Sequence, residues 1–568
     1  MREGKPRLLL ESAFLGVAGG LAARLFMALL GGCQHLLLFE LARYRAPGMT
    51  ESGRAYGEII GHFGLWLIPA VTTLGGVLSG LIVYRFAPEA EGHGTDTAVN
   101  AFHRKEGLIR DRVPLVKMIA SAITIGSGGS AGREGPIALI TAGLGSIYAR
   151  LTHRSEEERR ILLLAGMAAG LSAIFRTPLG TSVFAIEVLY GHMEFEVGAL
   201  FYTMFSSAVA YAVDAYFTGF GPLFRVPAIP PPALSDYTAY VFLGLAAGLI
   251  ATALPLILYR VRDLFRVLPA PVWTKPAIGG LGVGLIALAL PQVLGGGYGW
   301  IQQAINGELP LFLALALLFA KMIAFPLTVS SGGSGGVFAP SLFVGAMLGA
   351  VFATVLHQLP AVFVVVGMAS VFGAAARVPI ATMLMVTEMA GGYQLLVPAG
   401  MAVMISYLVQ VRLSSFVKYR SLYEGQVPTR HDSPAHYFEQ IRVGLDILGG
   451  GNLPPMDKIG HLDLPRLLRA RVRLDLLGGK ELAMGVIREG SPLVGKAMGM
   501  LHKQLSYHEF QIITIMRRGQ VLLPRPEMLL EADDQVLLVA SPDGKEPLSK
   551  YLELIPELRA GGMQAPRD

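Results

Sequence analysis

GSGGSAGREGP, residues 126–136, and SSGGSGGVFAP, residues 330–340, align without a gap and keep Ser, Gly, Gly, Ser, Gly and Pro at six of eleven places. A second pair of segments stands in nearly the same relation. GMAAGLSAIFRTPLGTSVFAIE begins at Gly166 and GMASVFGAAARVPIATMLMVTE at Gly367, so Arg176 with Arg377, Pro178 with Pro379 and Glu187 with Glu388 are each 201 residues apart. Chance is a poor explanation for two such matches in one order. Residues 11–215 and 237–425 are therefore two related halves, each presenting one glycine-rich loop followed by a proline and an apolar run.

The loops lie in a chain built for lipid. Of 568 residues, 53% are hydrophobic and 15% charged, against roughly 25% charged in an ordinary soluble domain. Mean hydropathy is +0.52. Apolar stretches recur between residues 11 and 412, and a bilayer crossing takes about 20 apolar residues, which leaves room for ten or more helices. Gly and Pro interrupt several of them, so some are expected to stop short of a full crossing. The N-terminal MREGKPRLLLESAFLGVAGG imitates a signal peptide, but Glu11, the missing A-x-A pattern and the later apolar segments favour a retained first helix. Arg2, Lys5 and Arg7 predict that this end is cytoplasmic, as is the C-terminus. A net charge of +6 fits basic cytoplasmic loops and gives no reason to read nucleic-acid binding. The single Cys33 permits no intrachain disulfide and reads as a buried small apolar residue.

After Tyr423 the composition changes. Residues 426–480 mix Pro, Gly and charge as a linker does, and residues 481–555 read as a small α/β domain. Its expected elements are strands around MGVIREGSPLVG, QIITIMRRGQ and EADDQVLLVAS and a helix near 495–505. About 75 residues make a marginal core on their own, which asks for a partner copy. Residues 556–568 are a tail.

A glycine-rich turn lets backbone approach a ligand closely. Where such a turn opens a helix, unsatisfied N–H groups and the positive end of the helix dipole form an anion site. Inside a membrane this backbone is tolerated only around a cavity or within protein, and intramembrane repeats often meet around a solute site near the midplane. Two half-helix N-termini converging on one anion is the resulting expectation. Glu134 would then be an internal mimic of that anion, occupying the site when ionised and leaving it when protonated or displaced: a gate. The alternatives are concrete. Gly and Ser can serve as helix-packing surface; Arg133 can contact the anion or form a structural salt bridge; Arg176, Arg377, Glu187 and Glu388 read as structural. GGSAG, residues 128–132, also satisfies G-x-S-x-G, which would make Ser130 a hydrolase nucleophile, but GGSGG recurs at 332–336 and no His is clearly paired with either Ser.

GREGP at 132–136, GGVFAPSLFVG at 335–345, EMAGGYQL at 388–395 and the Tyr423 region resemble, in order and spacing, the CLC chloride channel and transporter family. The resemblance covers about residues 11–425. It implies an all-α multi-pass membrane protein of two inverted repeats in an inner membrane, a homodimer with one anion path per subunit, and chloride as the transported partner. By the resemblance Glu134 is the gating glutamate, Gly135, Val337, Phe338 and Ala339 supply backbone N–H groups, and Tyr423 places its hydroxyl at the inner side of the central anion. The family's remaining segment, usually Gly-Ser-Gly-Ile-Pro, falls at GHGTD, residues 92–96, where His93 replaces the serine beside Gly94. His93, Gly94 and Arg133 complete the candidate anion set, with no cofactor and no metal. Proton-coupled members often carry an inner glutamate directly after the position of Glu187, and Val188 stands there. That departure tips the expectation to a passive chloride channel, with a proton-coupled exchanger as the alternative and fluoride transport as a remote one. REGSPLVGKAM at 488–498, IITIMRRGQ at 512–520 and LEADDQVLLVAS at 530–541 resemble the TrkA-C type lobe of potassium-conductance regulators. That implies a dimerising domain able to take a small ligand such as a cyclic dinucleotide, or a dimer clamp without one.

Overall fold

The computed structural model describes residues 6–45, 47, 64–227, 236–436, 474–475, 481–497, 510–517, 520–522, 527–540 and 553–554. The chain divides into two compact units, Met1–Asp432 and Ser433–Asp568.

The first unit repeats one order of helices. Its first half runs α1 (Pro6–Gln34), α2 (Gly64–Phe86), α3 (Thr95–Arg104), α4 (Arg112–Gly126), α5 (Glu134–Leu151), α6 (Glu156–Phe175), α7 (Pro178–Glu187) and α8 (Val197–Thr218). The second half answers with α9 (Asp236–Val267), α10 (Lys275–Ala289), α11 (Tyr298–Ile305), α12 (Leu311–Val329), α13 (Phe338–Val355), α14 (Pro360–Ala375), α15 (Pro379–Ala390) and α16 (Leu396–Ser414). Room for ten or more crossings resolves, among the described residues, into eight helical segments long and apolar enough to span. Several of the others are short: α3 and α7 have 10 residues and α11 has 8. At 1.5 Å per residue these reach about 12–15 Å, half of a hydrocarbon core about 30 Å thick.

The breaks are written in the sequence. Arg176 and Arg377 take left-handed φ values of 60° and 57° at the ends of the preceding helices, and the proline two residues on opens the next helix at its first position, where a missing N–H costs nothing. A left-handed arginine is strained by about 1–2 kcal/mol, and its side chain is anchored in compensation. Arg377 donates to Ser414 Oγ at 2.8 Å and to the Gly191 carbonyl at 3.3 Å, while Arg176 donates to the Thr218 carbonyl at 3.4 Å.

Two sets of reciprocal bonds fix the relation between the halves. Gly132 N–H donates to the Gly336 carbonyl at 2.8 Å and Gly336 N–H to the Gly132 carbonyl at 2.6 Å. Each glycine is the other's repeat counterpart, and such self-pairing requires a two-fold axis between them. The two repeat glutamates are reciprocal in the same way. Glu187 accepts from the N–H groups of Ile380 and Ala381 at 3.2 and 2.7 Å in the first turn of α15. Glu388 accepts from Leu179 and Gly180 at 3.2 and 2.7 Å in the first turn of α7. Each carboxylate caps the other half's short helix, where its charge also suits the helix dipole.

Residues 426–432, placed with the linker from composition, belong to this first unit: Gly191 and His192 N–H groups donate to the Val427 and Pro428 carbonyls at 2.8 and 3.1 Å. Cys33 is half-buried rather than buried, its Cβ against Gly126. In the second unit, β1 (Leu474–Asp475), β2 (Glu481–Val486), β3 (Phe510–Arg517), β4 (Gln520–Leu522) and β5 (Gln535–Ala540) form an antiparallel sheet in the order β1-β2-β5-β3-β4, and β6 (Glu553–Leu554) also pairs with β2. Ile487, Leu493, Ile512, Ile515, Leu530, Val536 and Leu538 make its core. The helix expected near 495–505 falls largely outside the described residues, residues 492–495 forming a turn.

Candidate functional site

The two glycine-rich loops meet at the axis and each opens a helix, α5 after Arg133 and α13 after Val337. Their approach is as close as glycine permits: a Cβ on Gly132 would lie 3.1 Å from Ala339 N and 3.0 Å from Ala339 Cβ. The N-terminal poles of α5 and α13, each equivalent to about half a positive charge, therefore face one small volume. The Glu134 carboxylate is in it. Its side chain is 1% exposed, Oε2 accepts from Ala339 N–H at 3.4 Å, and Oε1 accepts from the Tyr298 hydroxyl. An acid on the first residue of α5 thus reaches across the axis to the pole of α13.

Arg133 is turned towards this carboxylate. Its Nε lies 3.9 Å from Glu134 Oε1, its guanidinium sits 4.6 Å from the Tyr298 ring centroid, and Nη1 reaches Met27 Sδ at 3.4 Å. Val337, Phe338 and Ala339 are buried in the same first turn. The Phe338 ring leaves the site and packs on Phe175 and Phe372 at centroid distances of 4.5 and 4.0 Å.

A third helix start closes the site from the other direction. Gly94, with φ of +86°, caps α3, and the His93–Gly94 backbone lies against Gly135, where a Cβ on Gly94 would stand 2.6 Å from the Gly135 carbonyl oxygen. Only glycine suits that φ and that contact. Tyr423 is buried beside them, its ring 5.4 Å from that of His93, and its hydroxyl meets Thr95. His93 Nδ1 is buried and has no hydrogen-bond partner among the described residues. Below, a cavity of about 660 Å³ is lined by His93, Gly94, Asp96, Tyr259, Arg262 and Glu424, among others. All the candidate residues thus gather in one region, Arg133 on the carboxylate and His93 at the head of this cavity.

Sequence reasoning missed three contributors. Lys117 and Lys321 are fully buried. Lys117 donates to the Ala90 and Gly92 carbonyls at 3.0 and 2.6 Å, and Lys321 to those of Val293 and Gly295 at 2.7 and 2.6 Å. Each ammonium holds the loop that starts a short helix, α3 or α11, and adds positive charge near the poles. Their signal was present: KMIA occurs at 117–120 and again at 321–324, the same 204-residue interval as the loops. Tyr298 had none, being the first residue of α11 in the stretch GGGYGW. Among the described residues Ser130 Oγ is buried without a hydrogen-bond partner, so none of them is a base paired with it as a hydrolase requires.

Residues 75–411 match the family described as voltage gated chloride channel, and residues 484–552 match the TrkA-C domain. A putative chloride channel protein ClcB-like from Ralstonia nicotianae is 30% identical over 416 residues, 71% of this chain and 93% of that protein. The H(+)/Cl(-) exchange transporter ClcA of Salmonella agona is 31% identical over 421 residues, 71% of this chain and 87% of that protein. Among solved structures, a slow cyanobacterial Cl-/H+ antiporter shares the fold with a TM-score of 0.65 at 22% identity, covering 72% of this chain and 96% of that one.

Proposed function

Because the chain belongs to the voltage gated chloride channel family, we propose that it exchanges chloride for protons across a membrane, with Glu134 as the gate both ions use. The observation that carries this is the seat of the Glu134 carboxylate on Ala339 N–H at the pole of α13. An ionised carboxylate and a halide are alternatives there, because both answer the same N–H groups and the same dipole. Protonation discharges Glu134 and weakens its hold, so the acid that frees the path for chloride is also the one that carries the proton. The relative named as an exchanger favours this over a passive channel. Val188, buried where the inner glutamate of coupled members is expected, is the observation on the channel's side.

Purified protein in liposomes separates the two. An outward chloride gradient that drives protons inward against their own gradient supports exchange; chloride efflux with no proton movement makes the protein a channel. Glu134→Gln removes the titrating group, so proton movement ceases and chloride flux loses its pH dependence. A Glu134→Gln protein with wild-type pH response removes Glu134 from the role. The protein acts as a homodimer with cytoplasmic termini in this proposal, and the TrkA-C-like unit serves it as a dimer clamp or as a receptor for a small ligand such as a cyclic dinucleotide.

A further inference from the structure

If protons are exchanged, they need an inner entry, and the residue expected to supply one is Val188, which carries none. We propose that His93 is that entry: it takes up the proton from the cavity below the halide site, so that on the inner side proton and chloride share one path. The proposal rests on the exchange reading above.

Four observations point to His93. It lines the cavity of about 660 Å³, so one side of the residue faces that space. Its Nδ1 is buried and, among the described residues, unpartnered, a costly state for a ring nitrogen unless something visits it. Its ring lies 5.4 Å from that of Tyr423, and Tyr423 is within electrostatic reach of both Asp96 and Glu134. Its backbone lies against Gly135, the residue after Glu134. An imidazole is the one side chain among the candidate anion ligands that both takes a proton and, once charged, attracts a halide.

The charges around it explain why the two ions would travel together. Burial first, and then the charges of Lys117 from α4 and Arg262 from α9, oppose a positive charge on the ring. Asp96 on α3 and Glu424 line the same cavity, with Asp96 accepting from Gly425 N–H at 2.5 Å and Glu424 paired with Arg262. Glu91 lies close to Lys117. An arriving chloride offsets the cations, so His93 gains its proton as the halide binds. One N–H bond forms on the ring as an O–H bond breaks on a hydronium ion arriving through the cavity, or on a protonated Asp96 that then takes its proton back from such a hydronium. The N–H bond breaks when the proton passes, through the Tyr423 hydroxyl or a water, to the Glu134 carboxylate. The ring returns to neutral and no other reactant is needed.

The experiment measures chloride flux and chloride-driven proton uptake together, in liposomes holding the full chain, for wild type, His93→Gln and the double variant His93→Gln with Val188→Glu. The readout is the ratio of protons to chlorides, which is independent of how much chloride flux survives. His93→Gln is expected to lower the ratio at least tenfold and Val188→Glu to restore it by supplying the other entry. A His93→Gln ratio within twofold of wild type overturns the proposal while leaving exchange intact. A loss that Val188→Glu does not repair assigns the defect to the halide site and overturns it too. A wild type that pumps no proton removes exchange itself and this proposal with it. Should His93→Gln not yield a monodisperse protein, His93→Ser, the residue the family usually has there, gives the same reading.

Discussion

Replacing Tyr298 by Phe removes one atom from the gate and should make transport faster. The hydroxyl donates to Glu134 Oε1 in a part-buried setting, and the ring stays to carry Arg133, 4.6 Å from its centroid. A hydrogen bond to a charged acceptor is worth about 1.5–3 kcal/mol, and about 1.4 kcal/mol is a factor of ten, so the seated state would weaken by roughly 10- to 100-fold. Ala339 N–H at 3.4 Å and Arg133 Nε at 3.9 Å remain and can tighten onto the freed oxygen, which places the expectation near the lower end, about tenfold. Chloride efflux from liposomes at neutral pH should rise by up to that factor. Because the hydroxyl acts only through the ionised carboxylate, the gain should shrink as acid protonates Glu134. It should vanish in a Glu134→Gln background, a double-mutant cycle that isolates the pair. Equal or slower efflux in Tyr298→Phe, with unchanged thermal stability, would refute the latch. So would a gain that persists without Glu134, since the hydroxyl would then be acting elsewhere.

Three further substitutions probe the same geometry. Glu187→Gln should lower the thermal midpoint in detergent by a few degrees, because the side chain loses its charge and one acceptor oxygen for two α15 N–H groups, about 2–3 kcal/mol. Glu388→Gln should do the same to a smaller extent, since Glu388 is only partly buried. Lys321→Met should leave the Val293 and Gly295 carbonyls unpaired at about 1–3 kcal/mol each and, by removing a positive charge near the poles, weaken chloride binding about tenfold by isothermal calorimetry. Wild-type affinity in that variant would mean that the ammonium is structural only.

The repeat was legible because it is an interval, and an interval survives the drift of individual residues. The places where helices break were legible for a different reason: glycine at a left-handed turn and proline at the first position of a helix are chemical necessities. What the sequence did not yield are contacts between segments far apart in number. Tyr298 reaches Glu134 across 164 residues, and nothing local to GGGYGW marks it as a donor. Glu187 and Glu388 were read as structural without a partner, and their partners lie 193–194 and 208–209 residues away. Lys117 and Lys321 stand between these cases, since the interval that relates the loops also relates them, while the carbonyls they hold lie 25–28 residues away.

The symmetry of the backbone makes the asymmetry of its side chains informative. A two-fold axis between Gly132 and Gly336 delivers two equivalent helix poles, and an equivalent pair of side chains would defeat them. Two glutamates there would share one positive volume and repel, one of them forced to stay protonated. The alignment instead sets Phe338 opposite Glu134. Phe338 is held by three rings, Phe175, Phe184 and Phe372, at centroid distances of 4.5, 5.8 and 4.0 Å, which pins the start of α13 to the packed interior. One pole is thereby a fixed donor and the other carries the acceptor that can leave it. A gate requires that division, because a carboxylate can compete with a halide only if the N–H groups they contest stay in place when either departs. Phe338→Ala should therefore loosen the site from the donor side and weaken halide binding with Glu134 untouched.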